Sequence, residues 1–200
     1  MSSRQFLIRN NMKEYRCKWA EGHELSKKYH DREWGVPCKS DARWFEYLVL
    51  DAAQAGLSWL TILKKRGGYK KVFDNFDYKK LAKWSDAKLE KALKDESIVR
   101  NRLKVYSVRK NARAFLEVQK EFGSFNKYIW SFSKNKIVDG KIKSIKNVPA
   151  KTELSDAISK DLKKRGFTFV GSTIIYAFLQ AGGVVNDHEV KCFRYSELKK

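Results

Sequence analysis

Four residues near the two ends of the chain are of the types that bind a structural metal ion. Cys17 and His30 lie near the start, and His188 and Cys192 lie near the end. The second pair is spaced i, i+4, which on a helix would put both side chains on one face, whereas the first pair needs a loop to converge. Two thiolates and two imidazoles form a set that tetrahedral zinc accepts. The pattern therefore suggests one structural zinc joining the termini, the alternative being a chance arrangement.

A carboxylate occupies the apolar face of a predicted helix. Asp51 follows Leu48 by three residues and precedes Ala55 by four, so the three side chains share one face. A buried carboxylate is costly unless it is paired or used. Two interpretations stay open at this point: a structural salt bridge or cap to a neighbouring helix, and a carboxylate inside a functional pocket.

Aromatic residues are concentrated in the sequence around this carboxylate and around the N-terminal pair of metal candidates. They are Trp19, Tyr29, Trp34, Trp44 and Trp59. Aromatic side chains are core residues by default. Aromatic walls with one carboxylate are, however, also what a pocket for a flipped and stacked base requires.

Composition limits the class of protein. A chain of 200 residues can form one domain with a sizeable core, and its aromatic content of 14% argues against disorder. The three cysteines form no regular framework, which favours a reducing cytosol over a disulfide scaffold. No segment approaches the roughly 20 apolar residues of a membrane span. We therefore expect a cytoplasmic protein without membrane contact.

The charge distribution indicates a polyanionic partner. The formal net charge is +20, and residues 61–120 alone carry 18 basic against 7 acidic groups. Nucleic acid is the natural partner for such a chain. The alternative is a lysine-rich surface that is only solvated.

The spacing of apolar residues predicts a mostly α-helical chain without internal repeats. Ser40 or Asp41 can cap a helix that Gly56 ends, and Ser58 can cap a second helix that we expect to stop at Gly67-Gly68. The remaining expected elements are short helices capped by Asp77 and Ser85, a longer helix with Val105, Val108, Ala112, Phe115 and Leu116 on one face, a helix from Ser155 through Leu162, a core helix over about 172–181, and a hairpin over the Asp-Gly turn of 137–142.

Five motifs resemble those of the DNA-3-methyladenine glycosylase I family. They are YHDREWGVP at 29–37, QAGLSW at 54–59, KKRGF at 163–167, FVG at 169–171 and NDH at 186–188. The resemblance extends from about Arg16 to Cys192. We accordingly expect an N-terminal extension over residues 1–14 and one glycosylase domain over residues 15–200, which could divide into a zinc-bearing terminal lobe and a helical lobe.

The resemblance implies an all-α helix–hairpin–helix fold with one structural Zn²⁺ and no organic cofactor. The family's metal ligands fall on Cys17, His30, His188 and Cys192, and the DNA-binding hairpin is expected at residues 95–102. The implied activity is monofunctional base-excision repair: a monomer flips 3-methyladenine out of alkylated double-stranded DNA and hydrolyses its N-glycosidic bond.

The resemblance also assigns roles to individual residues. Asp51 stands where the family has a base-reading Glu and is one methylene shorter, by about 1.5 Å. The loop from Ala55 to Leu57 is expected to fill the gap left in the duplex. The base-binding set is Trp19, Tyr29, Trp34 and Trp59, and the DNA-binding set is Gly56, Leu57, Arg100, Lys164, Arg165 and Gly166.

Two other functions stay open on sequence. The shorter Asp51 is compatible with a non-catalytic protein that binds alkylated DNA, and the charge alone is compatible with a zinc-containing RNA-binding module. A zinc deaminase is excluded because its His-x-Glu and Pro-Cys-x-x-Cys pattern is missing and four protein ligands leave no open metal position. A glycosylase with lyase activity would need an amine nucleophile, which the sequence does not place.

Overall fold

Side-chain caps start most helices of the computed structural model, which describes residues 15–199. Ser40, Ser58, Asp77 and Ser85 each accept a hydrogen bond from a backbone N–H of the following helix, as predicted. The helices are α1 (Glu24–Arg32), α2 (Asp41–Gln54), α3 (Trp59–Val72), α4 (Tyr78–Leu81), α5 (Asp86–Ala92), α6 (Arg102–Phe122), α7 (Phe125–Ser131), α8 (Glu153–Lys164), α9 (Ser172–Ala181) and α10 (Phe193–Glu197).

Aromatic and aliphatic side chains from α2, α6, α7 and α9 meet in one core. Phe115 of α6 contacts Phe45 of α2 with ring centroids 5.3 Å apart and stacks on Phe125 of α7 at 4.1 Å. On the predicted face of α6, Val105, Val108, Ala112 and Phe115 are buried and Leu116 is half-buried, which confirms that helix. No helix within residues 15–199 is long and apolar enough to cross a membrane. The mostly helical fold is thus confirmed, whereas the N-terminal extension lies outside the described residues.

The prediction that Gly67-Gly68 stops the second helix is wrong. Helix α3 continues through both glycines to Val72. A Cβ atom on Gly68 would lie 2.4 Å from the carbonyl oxygen of Ser97. The glycine is therefore required by close contact with the 95–102 connection and does not end the helix.

The predicted hairpin over residues 137–142 is also wrong. Val138–Asp139 forms strand β1, which pairs in parallel with strand β2, Val185–Asn186. The pairing brings a segment from the middle of the chain beside the C-terminal segment that carries His188. Alternation within six residues could not distinguish this distant partner from a local one.

Two other local predictions need correction. Helix α8 begins earlier than expected: its cap is Thr152, and Ser155 is the third residue of a reciprocal capping box. The i, i+4 pair His188 and Cys192 does not lie on a helix, since residues 187–192 form turns before α10. Helices α1, α7 and α10 were not predicted.

Candidate active site

A cavity of about 280 Å³ lies between α1, α2, the start of α3 and the C-terminal segment. It is lined mainly by apolar and aromatic atoms with a few carboxylate and amide groups, the usual character of a small-molecule pocket. The residues predicted from sequence that line it are Trp19, Tyr29, Trp34, Asp51 and Trp59, together with the metal candidate Cys17. The structure therefore brings the expected carboxylate and all four expected base-binding aromatics to one cavity.

Asp51 is a buried carboxylate without a partner among residues 15–199. Helix α2 carries it into the cavity, its side chain is 4% exposed, and its Oδ2 atom has no hydrogen bond. Burial raises the pKa of Asp51 well above its ordinary value because the charged form loses hydration. Because the described residues give Asp51 neither a salt bridge nor a capping interaction, they do not support the structural interpretation left open by the sequence.

The aromatic side chains form two pairs beside Asp51. Trp19 and Trp34 meet edge to face with centroids 5.0 Å apart, and Tyr29 and Trp59 meet at 5.2 Å with tilted planes. Burial, followed by the charge of Asp51, raises the pKa of Tyr29 well above its ordinary value, so its phenol stays protonated. The buried Nε1 atom of Trp59 has no hydrogen-bond acceptor in the described part of the chain. The cavity therefore offers an unpaired acceptor on Asp51 and an unpaired donor on Trp59.

Sequence reasoning missed several residues that line the cavity. Gln54 follows Asp51 by three positions on α2, a spacing that could have identified it. Asp187 lies beside them and accepts hydrogen bonds from the hydroxyl of Tyr176 and, at 2.6 Å, from Nε2 of Gln180. Its place directly before His188 was a second available signal. The apolar residues of the 142–148 segment also line the cavity, and no sequence signal pointed to them.

The four metal candidates converge next to this cavity. Their ligand atoms lie within 4.8 Å of one another, all four residues are buried, and the cluster can hold a metal ion. Cys17 directly precedes a single turn, Lys18–Ala20, and His30 lies on α1, so a loop brings these two together as expected. Cys38 is a separate free thiol whose pKa burial raises to about 11.

Each histidine of the cluster is oriented by a second contact. Nδ1 of His30 lies 2.8 Å from a carboxylate oxygen of Asp31, and Nε2 of His188 lies 3.1 Å from the carbonyl oxygen of Trp34. The remaining nitrogens, Nε2 of His30 and Nδ1 of His188, face each other at 3.2 Å. Holding one ring nitrogen so that the other faces the ligand position is the usual arrangement of metal-bound histidine.

The predicted loop and basic residues lie at the surface. Gly56 has a φ of +76°, which allows the chain to turn after α2, and Leu57 is 40% exposed. Arg100 is exposed and paired with Glu96, and Lys164 is exposed at the end of α8. The guanidinium of Arg165, in contrast, is bound to Glu121 and Asp161. Its charge is thus paired within the protein, whereas the neighbouring Gly166 has only backbone groups to offer to DNA.

Comparison with known proteins agrees with this architecture. A sequence profile of the methyladenine glycosylase family matches residues 19–195. A DNA-3-methyladenine glycosylase of Haemophilus influenzae is 42% identical over 88% of this chain and 96% of that protein. DNA-3-methyladenine glycosylase 1 of Escherichia coli is 43% identical over 90% of this chain and 96% of its own length.

Solved structures give the same result. A crystal structure of 3-methyladenine DNA glycosylase I matches with a TM-score of 0.87 and 42% identity, covering 90% of this chain and 98% of the other. A structure that describes 3-methyladenine recognition by the Staphylococcus aureus enzyme matches with a TM-score of 0.86 and 31% identity, covering 89% and 95%. This chain belongs to the methyladenine glycosylase family.

Proposed function

We propose that this protein is a monofunctional DNA glycosylase that hydrolyses the N-glycosidic bond of 3-methyladenine in alkylated double-stranded DNA. The observation that carries the proposal is the partnerless carboxylate of Asp51 inside an aromatic cavity of a chain from this family. A buried carboxylate with no partner is costly. A cationic base that donates hydrogen bonds would offset this cost while it is bound.

Hydrolysis of this glycosidic bond needs little acid catalysis, because the leaving base is already positively charged. Methylation at N3 makes the adenine cationic, so the base leaves as a neutral molecule when the C1′–N9 electron pair moves onto the ring. Water attacks C1′ and releases a proton, which leaves a hydroxyl group on the sugar. The enzyme's tasks are therefore to extrude the nucleotide, to hold the base, and to admit water.

The cavity residues perform the holding step. The rings of Tyr29 and Trp59 attract a cationic base by cation–π interaction, worth about 1–2 kcal/mol when desolvated. Asp51 accepts a hydrogen bond from the base, a charge-assisted contact worth about 1.5–3 kcal/mol. Nε1 of Trp59 donates to an acceptor of the flipped nucleotide. Asp51 reads the base and forms no covalent intermediate.

Among the described residues that line the cavity there is no lysine, which supports hydrolysis without a lyase step. A lyase needs an amine that attacks C1′ and forms a Schiff base. Borohydride treatment on alkylated DNA should therefore trap no covalent complex. A trapped complex would place an amine nucleophile in the pocket.

A structural zinc bound by Cys17, His30, His188 and Cys192 fits the cluster. With Zn–S and Zn–N bonds of about 2.3 and 2.05 Å, a tetrahedral site has S–N edges of about 3.6 Å and an N–N edge of about 3.3 Å. The corresponding distances are 3.5–3.7 Å and 3.2 Å. Four protein ligands leave no open position for substrate, so this metal would stabilise the fold and take no part in the reaction.

Two connections could present backbone N–H groups to DNA phosphates. The expected one, 95–102, is held by the side chain of Tyr69, whose hydroxyl accepts from the N–H of Val99. The other, residues 165–171, joins the packed helices α8 and α9, contains two glycines, and leads into α9 without a side-chain cap. Uncapped N–H groups favour anions. We therefore assign the helix–hairpin–helix element to 165–171, with 95–102 as a second, basic contact.

The partner is alkylated duplex DNA bound by a monomer, because one chain contains the cavity, the loop and both connections. Leu57 enters the space vacated by the flipped base. The second candidate function is a binder of alkylated DNA that does not cleave the glycosidic bond, which the shorter Asp51 favours. Incubation with methylated duplex DNA separates the two: a glycosylase releases free 3-methyladenine, identified by mass spectrometry, whereas a binder retains damaged DNA and releases no base.

A further inference from the structure

The ammonium group of Lys104 is bound at the C-terminal end of α2. Lys104 lies in the first turn of α6, and its Nζ atom donates to the carbonyl oxygens of Ala53 at 2.8 Å and Ala55 at 2.5 Å. The last carbonyl groups of a helix lack intrahelical partners, and the helix dipole favours a cation there. Burial lowers the pKa of Lys104 below its ordinary value, as expected for an ammonium withdrawn from solvent.

These two carbonyl groups define the path of the exposed loop that follows α2. Ala55 is the C-cap residue, Gly56 turns the chain with its positive φ, and Leu57 then reaches the surface. The N–H of Leu57 returns to the carbonyl oxygen of Gln54 at 2.6 Å. Lys104 therefore fixes the chain on the helical side of Gly56, two residues before Leu57, which would enter the duplex.

The same lysine belongs to the most basic part of the chain. Asn101 caps α6 by accepting the backbone N–H of Lys104 at 3.0 Å. Arg100 and Arg102 are exposed on either side of that cap. The ammonium of Lys104 points away from this surface, toward α2, so its charge serves an internal contact between the basic connection and the loop.

We propose that Lys104 is a positioning residue for base extrusion, which joins the 95–102 connection to the loop of Gly56 and Leu57. When residues 95–102 engage the DNA backbone, Leu57 is already held in place to fill the gap. The proposal rests on the glycosylase function proposed above. It assigns Lys104 no contact with the base or with the reacting atoms.

The test compares duplex excision with binding of the free base. Lys104→Met keeps an unbranched apolar side chain, one atom shorter, and removes the donors. It should lower the single-turnover rate on duplex DNA at least about ten- to hundredfold, the loss expected for one of the two charge-assisted hydrogen bonds that it removes. Binding of free 3-methyladenine, followed by tryptophan fluorescence, should not change. Base extrusion, reported by 2-aminopurine next to the lesion, should slow with excision.

Two further variants serve as controls. Lys104→Arg retains N–H donors and should recover most of the duplex rate. Lys120→Met removes a lysine from the last turn of the same helix, where it is 72% exposed and paired with Glu117. Lys120→Met should change neither the duplex excision rate nor the binding of free 3-methyladenine.

Three results would overturn the proposal. Equal losses of base binding and duplex excision in Lys104→Met would mean that the lysine only stabilises the pocket. A duplex rate equal to that of the unsubstituted protein would mean that the contact has no role. Absence of base release by the unsubstituted protein would refute the glycosylase function itself, and this outcome is visible before any variant is compared.

Discussion

Replacing Asp51 by Asn separates the stability cost of the buried carboxylate from its use in base recognition. Burial raises the pKa of Asp51 well above 3.8, its ordinary value. A carboxyl group whose pKa is raised in the folded state contributes its full stabilisation below pH 3.8. This contribution decreases as the pH rises from 3.8 and is lost once the pH has passed the raised pKa. Asn does not titrate. The stability advantage of Asp51→Asn should therefore increase with pH.

The magnitude follows from the missing partner of Oδ2. A buried polar group without a hydrogen bond costs about 1–3 kcal/mol, and more when it is charged. Asn keeps the shape and also lacks a partner, so only the additional cost of the charge is removed, and we expect a gain of about 1–3 kcal/mol at pH 8. For a chain of this length each kcal/mol corresponds to about 2–4 °C, which gives a rise in Tm of about 2–12 °C.

Thermal unfolding between pH 5 and pH 8 measures this effect, with excision measured in parallel. Asp51→Asn should be more stable toward pH 8, and its excision of 3-methyladenine should fall about ten- to hundredfold through loss of the charge-assisted contact. Binding to undamaged duplex should hardly change. Equal stability at every pH, or a less stable variant, would refute the claim that Asp51 is unpaired in the free protein.

Asp161 provides a matched control with the opposite sign. Burial alone would raise the pKa of Asp161. Hydrogen bonds from Arg165 and Tyr128 outweigh this effect and lower the pKa below its ordinary value. Its contribution to stability is present above the ordinary carboxyl pKa and is lost as the pH falls through the lowered one. Asp161→Asn should therefore destabilise the protein at pH 8, where Asp51→Asn stabilises it.

Three other changes test the remaining parts of the site. Asp51→Glu should lower excision, because overpacking a fitted cavity costs about 1–3 kcal/mol; a higher rate would show that the shorter carboxylate handicaps this protein. Elemental analysis should find about one zinc per chain. Chelation should lower Tm before it affects excision, because the free energy of metal binding at such a site stabilises the fold. A metal-free protein with an unchanged Tm would contradict a structural role for zinc. Charge reversal at Arg100 or Lys164 should weaken binding to intact and damaged duplex alike, with the salt slope reduced by about 0.9 for each lost phosphate contact; an effect on damaged DNA alone would assign these residues to the pocket.

Short sequence patterns predicted the structure correctly where the feature depends on one helix alone. The caps Ser40, Ser58, Asp77 and Ser85 were predictable because the hydroxyl or carboxylate bonds to N–H groups two or three residues away. The inward direction of Asp51 followed from its spacing on the same face as Leu48. The convergence of the termini and the aromatic lining of the cavity followed from the family resemblance, since spacing alone left chance as an alternative.

Signals failed where a distant segment determines the local conformation. Gly68 resembles a helix stop, but its reason lies in contact with Ser97. The β1–β2 pair joins residues more than forty positions apart in the sequence. His188 and Cys192 have helical spacing, yet they lie in turns. These turns are positioned by the preceding parallel strand pair and by the contact of Cys17 with the N–H of Glu189. Long-range packing of this kind is not encoded in short windows.

Release of free 3-methyladenine from methylated duplex DNA under single-turnover conditions tests the central claim most directly. The unsubstituted protein should release the base, and Asp51→Asn should release it about ten- to hundredfold more slowly at equal DNA occupancy. Saturating binding of methylated DNA without release of any base by the unsubstituted protein would contradict a glycosylase function. Equal release rates for the two proteins would contradict base recognition by Asp51.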